Sequence, residues 1–355
     1  MNDQGIVVLK NAISSSIVEE SVQDIWETIV SLPWIPEKKE TWQRIHNSLR
    51  EDYWRALSSE EANVGIQNYP MTGGFGALTL PPFFNLKTQW KIRQEERIVD
   101  IFRSLYGQKD LMVAIDRVSF KFPGQGETEF IHWDSNPFEW PNEPYEGYQG
   151  FLALSSTSFF AVPGTHTEAF REEFIKNYPP ISRKDQYLIK KNADPLNLQK
   201  KVVEYKIEPG DLVIWSNRLL HEARKNKTRT IRYGYYITYF PHGQPHPTVL
   251  KQYKKKKIDW LADRIHSYET GMNPRFFPSG TEVRLWPRAN LMYHPERLNE
   301  FCSMFTEGSE TYTYKTGAKK GEQVSLPVEW NPRNLGIYEP PLLTDLGREL
   351  LGYSK

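Results

Sequence analysis

Residues 208–240 read EPGDLVIWSNRLLHEARKNKTRTIRYGYYITYF, and this stretch sets the character of the whole chain. Pro209 and Gly210 supply the backbone angles of a turn. The unbroken apolar run Leu212–Trp215 is short enough to be a strand buried on both faces. From Ile231 to Phe240 aromatic and β-branched residues dominate, which favours a second strand. Two ionisable residues interrupt this apolar setting. His221 follows the first strand and Arg232 opens the second. A guanidinium inside an aromatic strand is costly unless something anionic pairs with it.

The same texture extends upstream. LMVAIDRVSFKF (111–122), TEFIHWD (128–134), YQGFLALSS (148–156), SFFAVPG (158–164) and KVVEYKI (201–207) are short strand-like runs separated by Pro, Gly and Asn. Aromatic residues make up 14% of the chain, which suits a β-rich core. Together these runs predict an antiparallel sandwich or barrel. Helices flank it. GIVVLKNA (5–12) reads as a strand leading into a helix with Ile17, Val18, Val22, Ile25, Trp26, Ile29 and Val30 on one face. A second helix is expected over 88–106, closed by Gly107, a third over 167–178, and a short one near the end in LTDLGRELLGYSK. Residues 31–86 lack periodicity, with MTGGFGALTLPP expected as a loop. The reading is therefore mainly β with flanking helices: one domain over 1–245 and a C-terminal extension over 246–355 packed on it.

Charge narrows the function classes. Lys plus Arg number 45 and Asp plus Glu 44, so no global field points to nucleic acid or a membrane surface. The single cysteine, Cys302, excludes an internal disulfide and multi-cysteine metal sites. The N-terminal apolar stretch is too short for a signal peptide, and no run approaches a spanning helix. The expectation is a cytoplasmic protein. Lys254–Lys257 precede IDWLADRI and read as the solvated first turn of a helix rather than a binding patch. Asn226–Thr228 match a glycosylation triplet but read as a turn.

Chemistry enters through His-x-acid triplets, of which there are three. His166/Glu168 precede a helix, where Thr167 and Glu168 suit capping and the helix dipole. His294/Glu296 enclose a proline and suit a turn. His132/Asp134 lie in a strand, where residues i and i+2 project to one face. They are either a hydrogen-bonded pair or two metal ligands. A non-haem iron(II) site needs two histidines and one carboxylate with positions left open, and His221 is available as the third ligand. On the strand before them, alternation places Arg117, Ser119 and Lys121 on one face, read as solvated, with a pocket for substrate charge as the sharper alternative. Gln149 on its strand either touches co-substrate or substrate, or satisfies buried backbone. His166 reads as a structural turn residue, and Trp133 and Trp215 as sheet packing.

Taken in order, HWD (132–134), YQGFLAL (148–154), FFAVPGTHTEAF (159–170), GDLVIWSNRLLH (210–221) and Arg232 resemble the iron(II)/2-oxoglutarate-dependent oxygenases, within them the phytanoyl-CoA dioxygenase-like group. The resemblance spans roughly residues 5–241. It implies a double-stranded β-helix, a jelly-roll fold, in which His132, Asp134 and His221 bind Fe(II). Arg232, with Arg229 as its rival, would pair with the distal carboxylate of 2-oxoglutarate. The implied reaction hydroxylates a small or medium-sized organic substrate with O2, 2-oxoglutarate being converted to succinate and CO2. Halogenating relatives carry a small residue in place of the carboxylate, so Asp134 points to hydroxylation. Two other classes fit the motifs: a catalytically silent jelly-roll binding protein, and a cupin-type metalloenzyme that does not use 2-oxoglutarate.

Overall fold

In the computed structural model, residues 1, 3–31, 72–73, 77–78, 82–121, 131–143, 145–182, 186–190, 192–228, 230–245, 247–276, 309–313, 323–327, 333 and 336–353 are described. Cys302, His294/Glu296, Arg229 and most of 31–86 lie outside them.

Strand alternation builds two antiparallel sheets. The larger follows the order β1 (Ile6–Leu9), β11 (Leu212–Ser216), β7 (Tyr148–Ala153), β13 (Arg232–Tyr236), β5 (Val118–Lys121), β3 (Ala77–Leu78), β2 (Thr72–Gly73). Strand β14 (Tyr239–Pro241) pairs with both β7 and β4 (Leu111–Val113). The smaller sheet runs β10 (Val203–Ile207), β8 (Thr157–Ala161), β12 (His221–Glu222), β6 (His132–Trp133), β9 (Tyr187–Leu188). The sheets pack face to face through Val213, Trp215, Ala153 and Ala161, with Phe159 of β8 against Trp215 of β11. This is the double-stranded β-helix, with open rather than closed sheets. A separate hairpin joins β15 (Ser309–Thr313) to β16 (Gln323–Pro327).

The period of two decides what each face does. On β13 and β5, Tyr233, Tyr235, Val118 and Phe120 join the core beneath the N-terminal helices. The intervening Arg232, Gly234, Ser119 and Lys121 therefore turn to the space between the sheets. Helices α1 (Ser15–Ser31), α2 (Lys87–Arg93) and α3 (Glu96–Tyr106) cover the outer face, where the Trp26 indole donates to the Tyr233 hydroxyl at 3.0 Å. Helix α4 (Glu168–Asn177), capped by Thr167 accepting from the Phe170 amide, backs the smaller sheet through Phe174. Trp133 and Trp215 are buried as expected.

Several local expectations change, each for a tertiary reason. The helix expected over 88–106 breaks at Gln94 and Glu95. The Gln94 side chain is engaged by Thr344 and Leu342, and the buried Arg93 guanidinium donates to the carbonyls of Phe84 and Asp116. The run expected as one strand gives two, Leu111–Val113 and Val118–Lys121, because the Asp116 carbonyl is taken by Arg93 and Gln89 instead of a ladder partner. The final aromatic run likewise splits at Ile237–Thr238, where the chain passes from β5 to β4 as neighbour. Part of MTGGFGALTLPP pairs as β2 and β3 instead of looping. Lys254–Lys256 occupy the last turn of α5 (Pro247–Lys256), not the first turn of α6 (Trp260–Thr270). There they complement the negative end of the helix dipole.

Beyond residue 245, the buried Arg264 on α6 donates to the carbonyls of Val113, Leu350 and Leu351, tying β4 to helix α7 (Asp345–Leu351). Among the described residues no helix is long and apolar enough to cross a membrane.

Candidate metal centre

Strands β6 and β12 are each only a residue pair long, and they pair with His132 directly opposite His221. That register brings two histidines distant in sequence to a ring-centroid separation of 4.6 Å. Asp134 follows the end of β6. Its Oδ1 lies 3.5 Å from His132 Nε2, and its Oδ2 lies 3.5 Å from His221 Nε2. One ligand atom from each of the three falls within 4.8 Å of the others. Of the other His-x-acid pairs, His166 and Glu168 do not join this cluster; Thr167 caps α4, and the His166 ring packs over Gly5.

Protonation states favour ligation. Burial pushes the Asp134 carboxyl up, but hydrogen bonding from His132, the influence of both imidazoles and the Gln149 amide outweigh it. The group is held well below the usual carboxylate range. Burial and the neighbouring His132 push His221 down to about 4, against the pull of Asp134. The His221 imidazole is thus neutral and the Asp134 carboxyl anionic at ordinary pH, as metal binding requires. The tautomer of His221 follows from its neighbour. Nδ1 lies 2.9 Å from the Leu219 carbonyl, which can only accept, so Nδ1 carries the proton and Nε2 presents its lone pair. Two imidazole nitrogens and one carboxylate form a donor set suited to iron(II) with further positions open. The Asp134 side chain keeps 28% of its surface open although it lies deep among protein atoms, which leaves access for a bound ion.

Gln149 has a role that neither sequence reading anticipated. Its side-chain amide donates to Asp134 Oδ2 at 2.8 Å and so fixes the carboxylate itself. The face carrying Ser119 and Lys121 is buried, not solvated. Lys121 stands directly across from Arg232 in the β5/β13 register. Burial, with Arg232 and Arg117 nearby, pushes the Lys121 amine down to about 7, and burial also lowers Arg232. Arg232 donates to the Arg224 carbonyl at 2.9 Å; among the described residues, neither cation has an acidic partner. Asn226, in the glycosylation triplet, is buried and donates to the carbonyls of Lys121 and Thr230, which makes the triplet structural.

Further along this face Arg117 stacks on Tyr236, 4.9 Å from guanidinium to ring centre, and binds Asp116 Oδ1 at 2.8 Å. Burial opposes the Arg117 charge, but Asp116, Tyr236 and Asp134 more than restore it. Between these positions lies Gly234. A Cβ there would meet the Phe151 ring at 2.1 Å, so the missing side chain makes room for that ring on this face. The alternation Arg117, Ser119, Lys121 placed these residues on one face; that Ser119 and Lys121 are buried is decided by the folded structure.

A family model for phytanoyl-CoA dioxygenase (PhyH) matches residues 1–234. A Dictyostelium discoideum protein whose name places it among the phytanoyl-CoA dioxygenases is 25% identical over 326 residues, which is 76% of this chain and 84% of that one. Among solved structures, the GlcNAc-inducible gene 2 protein of Candida albicans is similar over 75% of this chain and 65% of its own, at 12% identity and a TM-score of 0.47. EctD from S. alaskensis, in a structure with 2-oxoglutarate and 5-hydroxyectoine, is similar over 68% and 73%, at 15% identity and a TM-score of 0.41. On the match over residues 1–234, which contain all three clustered side chains, the chain belongs to the phytanoyl-CoA dioxygenase family.

Proposed function

We propose that this protein is an Fe(II)- and 2-oxoglutarate-dependent dioxygenase that hydroxylates a small or medium-sized organic substrate. The observation that carries the reading is the His132–Asp134–His221 cluster together with the buried Lys121/Arg232 pair, the two linked by Arg117, which feels the charge of Asp134 and acts on Lys121. A neutral-histidine and carboxylate cluster fits a divalent metal. Two adjacent buried cations fit a carboxylate. A dicarboxylic keto acid satisfies both ends at once.

In this reading His132, Asp134 and His221 hold the iron and leave part of its surface for co-substrate and oxygen. When bound, the metal and 2-oxoglutarate supply the oxidising chemistry, with decarboxylation to succinate and CO2 coupled to oxygen insertion at a C–H bond. The chain's own residues orient and exclude. Gln149 keeps Asp134 in one rotamer. Leu219 keeps the His221 lone pair directed outward. Arg232 and Lys121 neutralise the distal carboxylate where water is scarce, and Phe151 and Tyr236 line the same face.

Anaerobic addition of Fe(II) and then 2-oxoglutarate tests this. A weak visible charge-transfer band that requires both is expected. Metal binding with no response to 2-oxoglutarate would favour a cupin-type enzyme. Binding of neither would favour a silent binding protein.

A further inference from the structure

His221 is paired on both sides, to His132 of β6 and to Ala161 of β8, whereas Asp134 lies outside the ladder. Asp134 follows the end of β6, and His221 opens β12 after the turn at 217–220. Pairing fixes His221 but stops short of Asp134, so other contacts must hold the carboxylate at 3.5 Å from the imidazole. A polar network spans the gap between the two segments. Ser135, adjacent to Asp134 and almost completely buried, donates its hydroxyl to Glu143 Oε1. The other oxygen of the same carboxylate, Oε2, receives Arg218 Nε at 3.3 Å and Nη2 at 3.2 Å. Arg218 lies in the turn just before His221. Its Nη2 also donates to the Trp140 carbonyl at 3.3 Å, and its guanidinium stacks 5.1 Å from the centre of the Trp140 ring. The Trp140 indole closes the circuit by donating to the Ser135 carbonyl at 3.1 Å.

We propose that Glu143 and Arg218 are positioning residues for the metal centre, a carboxylate–guanidinium clamp that joins the segment bearing Asp134 to the segment bearing His221. The proposal rests on the assignment of His132, Asp134 and His221 as metal ligands. Its logic is geometric. One carboxylate binds the neighbour of one ligand through one oxygen and the turn of the other ligand through its second oxygen. The side chains of Glu143 and Arg218 are only 9% and 17% exposed, so water cannot readily replace the pair. The fork of the guanidinium adds direction as well as charge. Neither residue belongs to the ligand cluster, so the clamp acts through the ligands it holds.

The test is metal affinity, read by anaerobic titration with Fe(II) and by the ligand-field spectrum of Co(II), on folded metal-free protein. Glu143→Ala and Arg218→Ala are expected to weaken metal binding about 10–100-fold and to alter the Co(II) spectrum. The double variant should be no worse than either single one, since one clamp is lost in each case. Arg218→Lys, which keeps the charge but not the fork, should recover only part of the affinity. Ser135→Ala removes one arm alone; if the alanine variants of the ion pair do not fold, it carries the same measurement. Wild-type affinity and spectrum in a folded variant lacking either arm would overturn the proposal. A wild-type protein that binds no metal would instead sink the ligand assignment, and this separates the two failures.

Discussion

Lys121 and Arg232 are cross-strand partners: β5 and β13 run antiparallel with these two residues in direct register, both buried between the sheets. Like charges opposite one another in a sheet are unfavourable, and burial adds to the cost. A bound anion would offset that cost. In the proposed reading the His132–Asp134–His221 cluster would hold the metal and this pair would face the co-substrate carboxylate.

Replacing Arg232 with Ala is expected to raise the apparent requirement for 2-oxoglutarate by two to three orders of magnitude. Removing one partner from a buried charge pair costs roughly 3–5 kcal/mol. Initial rates against co-substrate concentration measure this. An unchanged requirement would move the carboxylate site elsewhere, with Arg229 the first residue to examine.

Lys121→Met separates stability from binding. Without ligand, the substitution removes a buried cation that faces another, so thermal unfolding should shift upward, by roughly 1–4 kcal/mol at neutral pH. Co-substrate binding should weaken at the same time. A variant that is both less stable and equally competent would mean that Lys121 has a structural role.

The depressed amine also predicts a pH dependence. Lys121 in the free protein loses its proton near pH 7, whereas the unfolded chain keeps it to about 10.5. Between those values the unfolded state binds more protons, so stability of the ligand-free protein rises with pH. Binding a dianion favours the protonated amine, so 2-oxoglutarate affinity should fall as pH rises above about 7, by up to about tenfold per unit. Calorimetry at pH 6.5–9 in buffers of different ionisation heat reads the proton uptake directly. Flat affinity with no uptake would count against Lys121 as a co-substrate contact.

His132→Ala and Asp134→Ala should abolish Fe(II)-dependent decarboxylation of 2-oxoglutarate while leaving the circular dichroism spectrum intact. Gln149→Leu should be milder. Losing the amide that holds Asp134 should weaken metal binding about 10–100-fold, and equilibrium dialysis of the metal reads the difference.

Gly234→Ala probes the room made for the Phe151 ring. The added methyl overlaps the Phe151 ring, so the variant is expected to lose about 1–3 kcal/mol of stability. Pairing it with Phe151→Leu should recover part of that loss. A neutral single variant would mean that the ring moves aside freely and does not shape the site.

The fold class and the three donor residues that the structure brings together were readable along the chain because they depend on local pattern. Short runs with Pro and Gly between them favour strands of an antiparallel assembly, and HWD carries two of the three clustered donors within itself. His221 was recognised through the order of the motifs around it. Its distance from His132 was not readable, because cross-strand register is a property of the folded pair. The same limit explains the helix broken at Gln94 and the strand broken at Asp116. In both, hydrogen bonds from distant segments outweigh local periodicity.

What the sequence by itself determined, then, is the strand-rich character of the chain, the three donor groups and the late arginine, since period, residue type and order specify those without reference to neighbours. Only the tertiary structure decided that Lys121 is buried opposite Arg232, that Gln149 serves Asp134, and that Glu143 and Arg218 bridge two ligand segments. Exposure, register and partnership belong to surfaces that exist only once the two sheets have closed over each other.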